Sequence, residues 1–271
     1  MLRATTMWIS PHVRPRLSQL ELAFNRDGTD PYGVSKRDIG RFMSLLSVFY
    51  HRYFRCSVHG IENVPASGRA MLVCNHSGGF AIDAGMLIAA CFFELDPPRL
   101  AQGMVEKFLA RQPFAGMFLQ RAGQFTGLPQ HCERLLADER LLMVFPEGAR
   151  GTAKLFAERY TLVRFGTGFM RLALSTQTPI IPVAYLGGGE AVPTIMNLER
   201  LGKALGAPYI PVTPYGLPIP LPVHTELHFG EAVLPSGTGN EEDKDILVKV
   251  DDIKRRIADL IDRGRRSYEP T

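Results

Sequence analysis

Three short apolar runs, at residues 70–74, 141–145 and 179–185, constrain this chain more than any other feature. Each is strand-length and bounded by turn residues, the pattern of a strand buried on both faces rather than of an amphipathic helix. The first run stops abruptly in Cys74-Asn75-His76-Ser77-Gly78-Gly79-Phe80-Ala81-Ile82-Asp83. A histidine and a carboxylate seven positions apart on one continuous helix share a face but stand about 10 Å apart along its axis. His76 and Asp83 can therefore meet only if His76 precedes the helix, Gly78-Gly79 turns the chain, and Asp83 falls in the first helical turn, where the dipole favours a carboxylate. That arrangement is a general base with an orienting acid. The helix is expected to continue past residue 91, apolar enough to be buried on nearly every side.

The second run ends in Phe145-Pro146-Glu147-Gly148-Ala149-Arg150-Gly151, again a turn carrying charges. Ligands gather at the carboxyl ends of strands in open α/β sheets, so the two strand ends are expected to converge. Lys154, Arg159 and Arg164 follow. Arg150, adjacent to the turn, is the better candidate for an anion, whereas Lys154 and Arg159 read as a solvated basic loop. Arg121 is either a helix C-terminal cation or a substrate contact. In the third run Pro182 predicts a bulge or irregular pairing, because it has no N–H. Gly187-Gly188-Gly189 reads as a turn, since no Gly-Lys-Ser/Thr pattern follows it. On a strand at 223–229, His224, Glu226 and His228 share a face. With no further nitrogen or sulfur ligand near in sequence, no metal is expected there.

Elsewhere, Ser35 with Asp38 caps a predicted helix to about residue 53, whose aromatic stripe suits either core packing or a membrane interface. Helical stretches are expected at 107–111, from Pro113 to Arg121, at 130–139 and at 168–175, with Thr167 as N-cap of the last, and strands at 54–58 and 99–104. Residues 203–222 are too proline-rich for a regular helix or interior strand and suit a core cap or a membrane contact. The last helix, at 241–263, repeats Ile246, Val250, Ile253, Ile257 and Leu260 and takes Asn240 as its cap. Residues 1–34 read as a loosely attached arm and linker, and 265–271 as a basic tail, leaving 35–264 as a single domain. At 271 residues and 45% hydrophobic content, the chain can bury one large core or two modest ones. A net charge of +4 without a basic stripe argues against nucleic acid but suits acidic substrates or anionic membranes. Four scattered cysteines and no secretory leader predict reduced thiols and a cytoplasmic protein, and no run is long enough to span a bilayer.

Asn75-His76 with Asp83, Gly116 through Arg121, Phe145-Pro146-Glu147-Gly148 with Arg150, and Pro179 through Val183 resemble, in that order, the four motif blocks of the glycerolipid acyltransferases of the lysophosphatidic-acid acyltransferase type. The resemblance covers roughly residues 54–230. It implies an α/β fold, a single domain with a mixed, largely parallel β-sheet flanked by helices. It also implies transfer of a fatty acyl group from acyl-CoA or acyl-carrier protein to a lysophospholipid or other glycerolipid hydroxyl, with no cofactor and no metal. His76 would be the general base and Asp83 its orienting acid. Asn75, Arg121, Glu147, Gly148 and Arg150 would line the substrate site. Two departures stand out. The family's usual His-x-x-x-x-Asp spacing has Ala81 where the acid is expected, and the third block continues Ala149-Arg150 rather than Thr-Arg. The first suggests a subfamily with a longer loop; the second removes one hydroxyl and keeps the cation. A thioester hydrolase using the same His76 and Asp83, and a noncatalytic lipid-binding protein, are the competing readings. Peripheral association with the cytoplasmic face of a membrane is the expected setting.

Overall fold

The apolar runs become the middle of a seven-stranded sheet in the computed structural model. The described residues are 9–79, 81–105, 115–126, 129–204, 206–216 and 219–269. Phe80 and the expected helical starts at 107–111 and Pro113 lie outside them. The strands are β1 (Ser57–His59), β2 (Ala70–Cys74), β3 (Ala101–Val105), β4 (Phe125–Thr126), β5 (Leu141–Val144), β6 (Ile180–Leu186), β7 (Met196–Leu198), β8 (Ile210–Val212) and β9 (Glu226–Phe229). The sheet runs in the order β1-β9-β6-β2-β5-β3-β4, while β7 and β8 pair separately. Strands β6, β2, β5, β3 and β4 are mutually parallel; β9 is antiparallel to β6, and β1 is parallel to β9. Every residue of β2 and β6 is buried, as expected of parallel strands covered by helices on both faces. The fold is thus the single-domain mixed α/β sheet expected from the sequence.

Pro182 interrupts the β6–β9 ladder where its missing N–H predicts. Pairing runs from Leu186–Glu226 to Val183–Phe229 and resumes at Ile180–Val233. Three steps on β6 (180 to 183) face four on the partner (229 to 233), so the extra residue is carried by the partner, where Gly230 N–H donates to Pro182 O at 2.8 Å.

Helix α2 (Lys36–Val48) begins at Ser35, whose hydroxyl accepts from Asp38 N–H at 3.3 Å, and ends in a π-turn at Phe49–Tyr53. Ile39, Phe42, Met43, Leu46 and Tyr50 face the core, so most of the stripe packs inward, while Phe49 is exposed and Tyr53 half-buried. The N-terminal segment corrects the expectation of a loose arm. From residue 9 it belongs to the body: helix α1 (Val13–Gln19) buries Val13 and Leu17, and Arg16 donates to the carbonyls of Phe92 and Leu95. Gly40 on α2 admits this contact, since a Cβ there would lie 2.7 Å from Ile9. Asp30 and Arg140 form a buried pair at 3.0 Å. The apolar positions of this segment are too few and too broken by arginines and prolines to reveal the docking from sequence.

Helix α3 (Ile82–Phe93) follows the site loop. Helices α4 (Ala115–Arg121), α5 (Pro129–Ala137), α6 (Ala149–Thr152) and α7 (Gly168–Ser175) follow in order, and Thr167, at the N-cap of α7, makes no side-chain cap bond. Within 203–222 the described residues hold the end of a short helix and one strand of a separate two-stranded pair, with no long helix or interior strand, as expected. Helix α8 (Gly188–Ala191) precedes β7, and helix α9 (Glu199–Ala204) leads to β8. The final helix α10 (Asp243–Gly264) seats Ile246, Val250, Ile253, Ile257 and Leu260 against the sheet. Asn240 does not cap it. Instead Arg171 of α7 donates to the carbonyls of Gly239 and Glu241 and pairs with Asp243 at 2.6 Å. Among the described residues, no helix is long and apolar enough to cross a membrane.

Candidate active site

The loop after β2 is anchored before it reaches the histidine. Asn75 is buried, accepts from Tyr185 N–H at 2.7 Å and donates to Tyr185 O at 3.1 Å, clipping the end of β2 to β6. Its amide is therefore engaged by backbone and not presented to a substrate. Gly78 and Gly79 take left-handed conformations (φ 88° and 54°), and Ala81 (φ 53°) completes the turn into α3. Asp83 falls in the first turn of α3 and is fully buried. Its Oδ2 lies 2.5 Å from His76 Nδ1 and accepts from Ser77 N–H at 2.8 Å, while Oδ1 accepts from Ala84 N–H at 2.8 Å. The carboxylate selects the tautomer with the proton on Nδ1, leaving Nε2 without a partner among the described residues. The Phe145 ring stacks on the imidazole with centroids 4.5 Å apart, holding its plane.

Gly78 has a second function. A Cβ there would lie 2.5 Å from Gly188 O, and one on Gly188 would lie 2.8 Å from Ser77 O. The glycine run after β6 is thus a close-packed neighbour of the histidine loop rather than a phosphate cradle.

Strands β2 and β5 are parallel neighbours with Val73 opposite Val144, so their loops emerge side by side. Glu147 is 1% exposed and accepts from His76 N–H at 2.8 Å and Val163 N–H at 2.9 Å. Lys154, also buried, donates to both oxygens of Glu147 (3.2 and 3.1 Å) and to Thr161 O at 2.9 Å. This corrects two expectations. Glu147 positions the histidine backbone instead of contacting substrate, and Lys154 is the buried counter-ion of Glu147 rather than a solvated cation. No local pattern reveals that pair, because the chain between its members folds through α6. Gly148 precedes α6 with φ 57°, and no atom lies within 4 Å of where its Cβ would stand. Gly151 lets the two loops touch: a Cβ would come within 2.6 Å of His76 Cβ.

Of the expected cations, Arg150 is exposed and donates to Arg164 O at 3.3 Å, leaving most of its guanidinium available beside a second exposed arginine. Arg159 is not a solvated loop residue: it pairs with Glu190 at 2.7 Å and lies over Phe156. Arg121 pairs with Asp38 at 2.6 Å, and its carbonyl accepts from Ser35 N–H, so it clamps α4 to the start of α2. Burial alone would raise the Asp38 carboxyl, but hydrogen bonds from Arg121 and Ser35 outweigh it and hold the group below its ordinary value. At Cys74, burial pushes the thiol well above its ordinary value and the nearby Asp83 and Glu147 add to the shift, which disfavours a thiolate nucleophile at the strand end.

Residues 55–186 match the sequence profile of the acyltransferase family. An uncharacterised protein of Mycobacterium leprae is 34% identical over 82% of this chain and 64% of its own length. The chain spans about two thirds or less of the curated relatives it matches. A human "DGAT1/2-independent enzyme synthesizing storage lipids" is 25% identical over 64% of this chain and 50% of its own length. Among solved structures, the 1-acyl-sn-glycerophosphate (LPA) acyltransferase PlsC of Thermotoga maritima superposes with a TM-score of 0.55 at 17% identity, covering 95% of this chain and 92% of that one. Residues 55–186 are thus similar to the acyltransferase family, and the chain shares the fold of the solved LPA acyltransferase.

Proposed function

We propose that the protein is an O-acyltransferase that moves a fatty acyl group from acyl-CoA or acyl-carrier protein to the hydroxyl of a lysophospholipid of the lysophosphatidic-acid type. The observation that carries this reading is the 2.5 Å contact between His76 Nδ1 and the buried Asp83 carboxylate at a strand's carboxyl end, which leaves Nε2 to receive a proton. The acceptor oxygen attacks the thioester carbonyl as its proton passes to His76 Nε2. The new C–O bond forms, the C–S bond breaks, and the departing thiolate takes the proton from the imidazolium. Asp83 stabilises that imidazolium while it exists. The raised Cys74 thiol favours direct attack over an acyl-enzyme. Glu147 and Lys154 hold the His76 backbone, and Arg150 with Arg164 supplies cations for an acceptor phosphate.

An acceptor with a fatty chain resides in a bilayer, so the enzyme works peripherally at a membrane surface. Ile195, Met196, Leu198, Leu201 and Ile219 are exposed, and this region is joined to the site's end of the sheet. Asn197 donates to Ala153 O beyond α6, and Leu221 N–H donates to Ala191 O at the end of α8, whose Gly188 packs on Gly78. These side chains are placed to dip into the layer from which the acceptor is drawn.

The decisive assay uses the full chain with acyl-CoA, with and without lysophosphatidic acid. Acceptor-dependent release of CoA with formation of the diacyl product, lost in a folded His76→Ala variant, is the expected result. Acceptor-independent release of CoA and free fatty acid, or full activity in His76→Ala, would overturn the assignment.

A further inference from the structure

On the opposite flank of the sheet, the Glu226 carboxylate of β9 is buried among imidazoles. His228 Nε2 lies 2.8 Å from Oε2, His59 Nε2 3.8 Å from the same oxygen, and His224 Nε2 3.4 Å from Oε1. His228 shares a strand face with Glu226, and His224 lies two residues before β9 begins. The third comes from β1, where His59 stands in register with His228 and their rings stack at 4.6 Å. One donor atom from each of His59, Glu226 and His228 falls within 4.8 Å of the others. Among the described residues every ion-pair partner of Glu226 is a histidine rather than a lysine or arginine. The carboxylate thus has no fixed cation in contact with it, and a divalent ion would supply one.

We propose that His59, Glu226 and His228 form a binding site for a divalent transition metal of the zinc type, bracing the edge strand β1 against β9. Two neutral imidazoles and a carboxylate are a donor set for zinc or its neighbours, whereas magnesium and calcium take oxygen ligands. Zinc–nitrogen bonds of about 2.0–2.1 Å require the donors to draw closer together than they stand. His59 is the residue free to make that adjustment: its side chain is 54% exposed on the edge strand, while those of Glu226 and His228 are 9% and 14% exposed. A cavity of about 230 Å³ lined by His59, His228, Arg263 and Gly264 gives an entry path. The backbone at Gly264 lies against the ring, since a Cβ there would come 2.7 Å from His228 Nε2. Arg263 lines the same opening but donates its Nε to Asp259 O of its own helix. His224 or a water completes the coordination. The site stands on β1 and β9, apart from β2 and β5 that carry His76 and Glu147, and is independent of the proposed acyl transfer.

The test uses tag-free full-length protein stripped with a chelator and desalted, titrated calorimetrically with Zn²⁺, Mg²⁺ and Ca²⁺ and, by absorbance, with Co²⁺. One Zn²⁺ per chain, a raised melting temperature, a visible Co²⁺ band of tetrahedral type and no Mg²⁺ or Ca²⁺ binding are expected. His59→Ala, at the exposed edge, should weaken Zn²⁺ binding by at least about tenfold, and His12→Ala should leave it unchanged. Absence of stoichiometric Zn²⁺ binding, undiminished binding in His59→Ala, or a sulfur-to-cobalt charge-transfer band would each overturn the ligand set.

Discussion

Asp83→Asn probes the proposed machinery because the carboxylate is met by three N–H donors and contributes no donor of its own. Oδ2 faces His76 Nδ1 and Ser77 N–H, and Oδ1 faces Ala84 N–H. An amide has one acceptor oxygen, so each of its orientations loses something. With the oxygen toward His76 and Ser77, the Ala84 N–H confronts an NH₂ group, and the imidazolium that forms during transfer loses its counter-charge. With the NH₂ toward His76, the Ser77 N–H loses its acceptor and Nδ1 must become the acceptor, placing the ring proton on Nε2, the atom that has to receive one. Either way a buried backbone donor is orphaned, costing about 1–3 kcal/mol of stability. In the first orientation, exchanging a charged for a neutral hydrogen bond removes about 1–2 kcal/mol of transition-state stabilisation, or roughly tenfold in rate. In the second, the wrong tautomer costs up to about 10⁴-fold, the size of the effect in a serine-protease triad. The assay is thiol release from acyl-CoA in the presence of lysophosphatidic acid, with urea unfolding of the same preparation. A loss of kcat between those limits is expected. A kcat within about threefold of the parent in a protein of unchanged stability would refute the reasoning.

Lys154→Met strands the buried Glu147 carboxylate and should cost about 3–5 kcal/mol, lessened by the two backbone N–H groups that still point at it; Glu147→Gln/Lys154→Met should recover much of the loss. Urea unfolding decides, and a cost below about 1 kcal/mol would dismiss the pair as a structural anchor. Arg150→Ala should raise the KM for lysophosphatidic acid far more than that for an uncharged monoacylglycerol, and equal changes for both would remove Arg150 from phosphate recognition. Burial pushes the Cys56 and Cys91 thiols up to about 12 and raises those of Cys74 and Cys132, so at pH 8 almost no thiolate is present and native alkylation should be slow. Rapid stoichiometric labelling without unfolding contradicts this. Leu201→Glu with Ile195→Glu should reduce flotation on anionic vesicles without altering the far-UV circular dichroism spectrum, and unchanged flotation would locate membrane contact elsewhere.

Much of the centre was legible locally. The runs at β2, β5 and β6 are apolar because parallel central strands are covered on both faces, and Pro182 announces a defect because it lacks a donor. The spacing of His76 and Asp83, with two glycines between, implies a loop histidine and a helix-borne acid, because helical rise forbids any other meeting. Longer-range partners were not legible. Nothing near Glu147 indicates that its oxygens will be occupied by the His76 amide and Lys154, and nothing near Arg121 indicates Asp38, 83 positions earlier. Such pairings depend on which strand ends become neighbours, which is a property of sheet order.

The flank shows the same division most clearly. By itself the sequence determined that Glu226 and His228 share a face, since strand side chains alternate with a period of two. Only the tertiary structure decided that His59 joins them, because parallel pairing of β1 with β9 sets His59 in register with His228 across 169 positions of chain (59 to 228). Local periodicity is written in neighbouring residues and survives in any fold that forms the strand. Strand order and register come from burying the whole sheet at once, so a ligand set assembled across strands exists only when the chain has closed.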